Sequence, residues 1–319
     1  MKILKKLSYV LLLILLAVFP GCRKDGRFKI GIIQIVEHES LDNARRGFID
    51  ELVSLGYEDG KNVEYETEIA GGDLSNCQQI ADKYVDNRKD LILAISTPCA
   101  QAAANATRDI PIVSTAVTNF EEAGLVKSHE KPNTNVTGVS DLAPIDKIIE
   151  LIPKLNPEVK KIGILYSNID TSPQYQTKLA VEKIREIGLE EKTVTVSQIH
   201  EVQQVSEKLA QEVDALYVPI DKITASSMPQ ISHAFLNNKK FVVCAEDIMA
   251  SKGAAAAYGF NYYELGKMAA HQAFEILEGK NIPQNMQVKY LKDANLILND
   301  EIINKLGITV PKEIKGDLQ

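Results

Sequence analysis

Ser96, Thr97 and Pro98 stand where a run of apolar residues, 91–95, gives way to a helical pattern. Thr97 suits a helix N-cap and Pro98 the first helical position, so two hydroxyls and the free N–H groups of a helix start converge on one point. Such a point receives an anionic oxygen, above all a carboxylate. Thr115, Ala116 and Thr118, which follow the next apolar run, extend the same hydroxyl-bearing wall. Acids hold comparable places elsewhere: Glu37, Asp221 and Glu246 each follow a strand-like run and would accept from an ammonium group. Hydroxyl caps and solvated loop acids are also ordinary turn chemistry, so the constellation carries the argument and no single residue does. His38, beside Glu37, suits a structural hydrogen bond as well as a ligand contact. Asn168 and Ser172 would add polar contacts from a second wall. Tyr258 and Tyr262 offer faces on which an aromatic group could stack, although tyrosines beside a sheet are often core.

Other chemistries find no support. The sequence has no Gly-x-Gly-x-x-Gly run, no Walker loop and no His-Glu-x-x-His. Its 5 histidines are scattered without ligand spacing, and no serine elbow or Cys-His arrangement is present. We therefore expect no catalytic group, no cofactor and no metal. The strand ends carry no arginine or lysine cluster, which disfavours phosphates and dicarboxylates.

The elements that position these residues follow from an internal repeat. Lys29-Ile30-Gly31-Ile32 recurs as Lys161-Ile162-Gly163-Ile164, and Leu55-Gly56-Tyr57 recurs as Ile187-Gly188-Leu189 at the same offset. The apolar run after Asp90 is echoed after Asp214, and 110–113 is echoed by 240–243. Four matches in one order make two copies of one unit. Each copy alternates strands with helices. In the first, strands at 28–36, 63–69 and 91–95 are separated by helices at 41–55 and 74–88. In the second, strands at 162–166, 192–197 and 216–219 are separated by helices at 174–187 and 201–213. Continuous apolar strands with helical crossovers predict an α/β fold of two lobes, each a doubly wound parallel sheet. We place lobe 1 at 28–142, with an irregular linking region over 117–141. Lobe 2 is placed at 143–285, and a segment at 286–319 crosses back between the lobes. Ligands of such sheets sit beyond the carboxyl ends of the strands, and a hinge would close two facing sets of ends on one cleft. Asp221, the repeat counterpart of Thr97, would then face it.

Particular residues carry a family resemblance. They include Ile33-Gln34-Ile35-Val36-Glu37-His38, Thr97-Pro98-Cys99-Ala100-Gln101, Thr115-Ala116-Val117-Thr118 and Asn135-Val136-Thr137-Gly138-Val139-Ser140-Asp141. The second half adds Asp214-Ala215-Leu216-Tyr217-Val218-Pro219 and Tyr262-Tyr263-Glu264-Leu265-Gly266. Together they make the chain similar to the ABC transporter substrate-binding proteins for tryptophan, tyrosine and phenylalanine. The resemblance spans essentially the whole chain after residue 28. It implies a hinged two-lobed periplasmic-binding-protein fold, no enzymatic activity, an aromatic amino acid as ligand, and an ABC permease and ATPase as partners. Asn119-Phe120 departs from the family's usual Asp-Pro, and Cys99 from its usual alanine. Another neutral ligand, such as a different amino acid or a nucleoside, and a role as an extracytoplasmic sensor remain the alternatives.

The N-terminus bears on location. Lys2, Lys5 and Lys6 precede an apolar run, 7–19, and then Pro20-Gly21-Cys22. The run is shorter than the roughly 20 residues that span a bilayer, and a small residue before Cys22 fits a lipoprotein signal peptide at 1–21. Cys22 would be lipidated, with 22–27 as a tether, which holds the protein at a cell membrane on its extracytoplasmic side. Removing 1–21 takes away three lysines and no acid and moves the net charge from −7 to −10. That charge argues against a nucleic-acid partner. Cys77, Cys99 and Cys244 fit neither a zinc site nor a complete disulfide set and suit buried apolar positions. A monomer is expected.

Overall fold

The computed structural model describes residues 26–291 and 294–315. The signal segment and Cys22 lie outside the described residues. The chain begins β1 (Phe28–Gln34), α1 (Glu39–Ser54), β2 (Val63–Ile69), α2 (Leu74–Asp86), β3 (Leu91–Ile95), α3 (Thr97–Ala106), β4 (Ile112–Val117) and β5 (Val136–Ser140). It continues with α4 (Ile145–Leu155), β6 (Lys161–Ser167), α5 (Thr171–Glu186), β7 (Glu190–Val196), α6 (Val202–Glu212) and β8 (Ala215–Val218). Then follow α7 (Lys222–Ser226), α8 (Met228–Asn237), β9 (Phe241–Cys244), α9 (Ile248–Ser251) and β10 (Ala256–Gly259). The last elements are α10 (Tyr262–Leu277), β11 (Lys289–Tyr290), β12 (Asn295–Leu298), α11 (Asp300–Leu306) and α12 (Lys312–Lys315).

Two six-stranded sheets result, ordered β11-β5-β4-β3-β1-β2 and β12-β10-β9-β8-β6-β7. The two orders are the same path walked twice, so the sequence repeat is a repeat of topology. Both first helices stop on a glycine at positive φ, Gly56 at 96° and Gly188 at 78°. All neighbouring strands run parallel except β10 and β12. Central strands such as β3 are buried at every residue, because helices cover both faces of each sheet.

The lobes are not contiguous in sequence. Helix α10 follows the second sheet, yet Leu265, Ala269, Ala270 and Ala273 are buried in the core of the first. Gly47 of α1 and Gly266 of α10 make the close crossing that seats it. A Cβ on Gly266 would lie 2.0 Å from the Ala44 carbonyl oxygen, and one on Gly47 would lie 2.1 Å from that of Tyr263. A lobe 2 drawn as 143–285 therefore takes in a helix that, with Val288 and β11 after residue 285, completes lobe 1. Helix α4 stays with the second sheet, burying Ile148, Ile149 and Ile152 there. The region 117–141, expected as irregular linker, contains β5, a buried central strand. Among the described residues no helix is long and apolar enough to cross a membrane.

Candidate functional site

The carboxyl ends of β1, β3, β4 and β5 face those of β6, β8 and β9. A cavity of about 30 Å³ lies between them, with His38, Thr97, Ala116 and Asp141 on one wall and Ser172, Asp221, Lys222 and Glu246 on the other. Such a volume holds only a water or two. Among the described residues two hydrogen bonds cross the cleft: the Ser40 hydroxyl donates to the Glu246 carboxylate, and the Thr118 and Ser172 hydroxyls bond to each other.

Four carboxylates border this cavity, and their partners divide them. Asp221 is the N-cap of α7; its two oxygens accept from the N–H groups of Thr224 at 2.8 Å and Ser167 at 3.1 Å. Asp170 accepts from the Ser172 N–H at 3.0 Å and pairs with Lys222 at 3.3 Å. Asp141 accepts only hydroxyls, from Thr118 at 3.0 Å and Tyr262 at 3.0 Å. Glu246 accepts from Ser40. Among the described residues, neither Asp141 nor Glu246 has a cationic partner, and both are almost wholly buried. Burial pushes Asp141 above the usual carboxylate range. Burial, opposed by the Ser40 hydrogen bond, pushes Glu246 up to about 7. Two buried acids on facing walls, without a salt-bridge partner among the described residues, are chemically suited to receive one positive group.

Lys222 supplies the opposite charge. Burial works against its ammonium, but the negative groups around it, Asp170 foremost with Cys99 and Asp221 behind, together outweigh that and hold its pKa above the ordinary value. Burial also lowers the pKa of His38, helped by Lys252 and Lys222, so its ring is neutral near pH 7. Beside the polar cavity lies an apolar one of about 210 Å³, which shares Asp170, Asp221 and Lys222 with it and is faced by Ile35, Val36, Leu74, Ile169, Ile199 and Ile223. Leu74, Ile169 and Ile199 are 48%, 51% and 57% exposed, an apolar rim drawn from both lobes. A larger groove of about 590 Å³ runs along the starts of α1, α10 and α11 but touches the cleft only at Ser40 and Tyr262.

The residues singled out in the sequence are placed as follows. His38, Thr97, Ala116, Ser172, Asp221 and Glu246 line the polar cavity, and Thr118 bonds to two of its lining residues. Ser96 and Thr115, the chain neighbours of Thr97 and Ala116, are buried and outside its lining. Ser96 (φ 101°) and Ala116 (φ 56°) hold strained backbone, which costs of order 1–3 kcal/mol each and concentrates at binding sites. Glu37 is exposed and outside the cavity lining. Asn168 points instead to Ser197, whose hydroxyl it accepts at 3.1 Å. Tyr258 is buried in the second core, because its strand places it in register with Leu296 of β12. Asp221, expected to meet a cation, spends both oxygens on backbone N–H groups. Asp141, Asp170 and Lys222 were missed as cleft residues, and Tyr262 serves as a hydroxyl donor where a stacking face was expected. An Asp-Lys pair directly after the β8 run was the available signal for Lys222.

A family model described as ABC transporter substrate binding protein matches residues 29–317. The chain is 43% identical over 293 residues to the tyrosine-binding protein of Clostridioides difficile (strain R20291), an alignment covering 90% of this chain and 85% of that one. It superposes on the L-Trp complex of an ABC domain from Streptococcus pneumoniae with TM-score 0.87 at 32% identity, covering 92% and 98% of the two chains. On the ligand-free, open structure of a substrate-binding protein with adhesive properties from Clostridium difficile it scores 0.73 at 41% identity, covering 89% and 96%. A lower score at a higher identity is what a changed angle between lobes produces. The two hydrogen bonds across the cleft agree, since they hold the lobes of this chain together.

Proposed function

The chain belongs to the family of ABC transporter substrate-binding proteins, and on that premise we propose that it captures an aromatic L-amino acid in the cleft between its lobes. The ammonium group lies between Asp141 and Glu246. The carboxylate meets Lys222 and the start of α3 at Thr97, where free N–H groups add to the lysine. The side chain runs past Asp170 and Lys222 into the apolar cavity. The observation that carries this reading is the pair of buried acids, one on each wall of a closed cleft and neither with a salt-bridge partner among the described residues, beside a lysine that lines the same cavity. A zwitterion with an apolar side chain satisfies all three surfaces. The names of the tyrosine-binding relative and the tryptophan-bound neighbour support the aromatic class.

Family members act outside the cytoplasmic membrane and hand their ligand to a permease driven by an ATPase. The chain does so, in this reading, as a monomer anchored by lipid on Cys22. Capture begins with the lobes apart, because the closed polar cavity is too small to be entered. Thermal shift against tyrosine, tryptophan, phenylalanine, tryptamine and nucleosides tests the ligand class. A ligand at 100 times its Kd stabilises by about 2.7 kcal/mol. Equal affinity for tryptophan and tryptamine removes the carboxylate site, and a nucleoside response alone overturns the amino-acid reading.

A further inference from the structure

Cys77 in the first turn of α2 and Cys99 in the first turn of α3 bring their Sγ atoms to 3.6 Å, and both are buried. From this juxtaposition we infer that the two thiols form a reversible disulfide that staples α2 to α3 beside the cleft. A disulfide needs about 2.05 Å between sulfurs, so the gap to close is about 1.5 Å, within reach of side-chain rotation and a slight approach of two helices already packed together. Family members work outside the cytoplasm, where such bonds form and persist. Cys244, the other described cysteine, lies in the core of the opposite lobe and offers neither thiol a competing partner.

The surroundings make the step accessible. Gly72 and Leu74, just before Cys77, and Pro98, next to Cys99, line the apolar cavity, so both cysteines lie close in sequence to a wall that opening the cleft exposes. The contact with Cys99 holds the Cys77 thiol below its usual value, while burial pushes Cys99 up. Cys77 is therefore the thiol that ionises more readily, and it attacks first. It displaces one thiol from a low-molecular-weight disulfide and forms a mixed disulfide. Cys99 then gives up its proton, attacks the Cys77 sulfur and releases the second thiol. Two protein thiols are oxidised and one small disulfide is reduced to two thiols.

The test uses the full-length protein in detergent, exposed to oxidised glutathione, quenched with N-ethylmaleimide and mapped as peptides. We expect a loss of about 2 Da, a Cys77–Cys99 linked peptide, an alkylated Cys244, and a melting temperature several degrees above that of the reduced protein. Dithiothreitol should reverse all but the alkylation. Cys77→Ser and Cys99→Ser should each yield, at most, a glutathione adduct on the remaining cysteine. Mapping of the unsubstituted protein decides the matter even if a variant fails to fold. Persistent glutathione adducts without a linked peptide, or both thiols fully alkylated after unfolding, overturn the inference.

Discussion

Ser40 and Glu246 are 206 residues apart in sequence, and the hydroxyl of the first donates to the buried carboxylate of the second across the cleft. One comes from the first turn of α1, the other from the loop after β9. The bond therefore exists only while the lobes are together. It ties an acid of unusual protonation to the opening and closing of the molecule.

Glu246 should make binding depend on pH. Its pKa is about 7 in the closed chain against an ordinary 4.5. A raised acid binds a proton that the open, hydrated chain has released. The ligand-free closed state is thus favoured at low pH and loses that advantage as pH rises from 4.5 through about 7. A ligand ammonium needs the ionised form, so binding at about pH 6 should expel up to one proton and affinity should rise by at most about tenfold per pH unit until about pH 7. Calorimetry in buffers of different ionisation enthalpy measures the proton count. Glu246→Gln should abolish it, and no release from the unsubstituted protein would remove Glu246 from the ammonium site.

Charge deletions should separate the binding acids from the structural one. Asp141→Asn, Glu246→Gln and Lys222→Met should each weaken tyrosine or tryptophan at least tenfold, since losing one partner of a buried charged contact costs about 2–5 kcal/mol. Asp221→Ala should instead lower stability by about 1 kcal/mol through its lost helix cap. Denaturant titration and calorimetry on the same samples distinguish the two. If Asp221→Ala abolishes binding at full stability, the acids have been assigned in the wrong order.

The two hydroxyl bridges should set the resting angle of the lobes. Ser40→Ala and Ser172→Ala each remove one net hydrogen bond, about 1 kcal/mol, and should shift the open–closed ratio of the free protein by about two- to tenfold. Small-angle scattering should show a larger radius of gyration without ligand and an unchanged one at saturation. An unchanged radius without ligand in both variants would mean that the bridges do not govern closure.

Gly266→Ala should disturb lobe 1 although it lies far along the sequence from that lobe's strands. Its methyl would meet the Ala44 carbonyl oxygen at 2.0 Å and the Phe48 nitrogen at 2.8 Å, backbone atoms of α1 that cannot rotate aside. Overpacking of this kind costs about 1–3 kcal/mol or more, visible as a lower melting temperature. A wild-type melting curve would refute the crossing of α1 and α10.

Cys22→Ser tests the anchor. The variant should be released from membranes or remain unprocessed, as judged by fractionation and the mass of the N-terminal peptide. Normal membrane association after normal processing refutes lipidation.

Local pattern sufficed for much of this. Apolar strands, glycine helix stops and a duplicated order of elements are short-range signals, and they specified two doubly wound sheets and the strand ends where a ligand belongs. Thr97, Ala116, Ser172 and Glu246 were legible as cleft-lining positions because the carboxyl end of a buried strand is itself such a signal. Asp221 was found for the same reason but its role was misjudged: a carboxylate after a strand can cap the next helix or meet a ligand, and only the N–H groups of Thr224 and Ser167 distinguish the two. Tyr258, expected at the cleft, lies in the second core, because alternation along a strand does not say which face its neighbours cover.

What tertiary structure alone decided is which parts of the chain close on one another. Nothing near Gly266 says that its helix leaves the second sheet to pack on the first, since that follows from two glycines, 47 and 266, meeting in space. Likewise Asp141 and Glu246 read as separate loop acids in the sequence. Folding sets them on facing walls of one cavity, withdraws both from water and gives neither a salt-bridge partner among the described residues. Burial and the absence of a counter-charge are properties of the surroundings, which the identity of a residue does not encode.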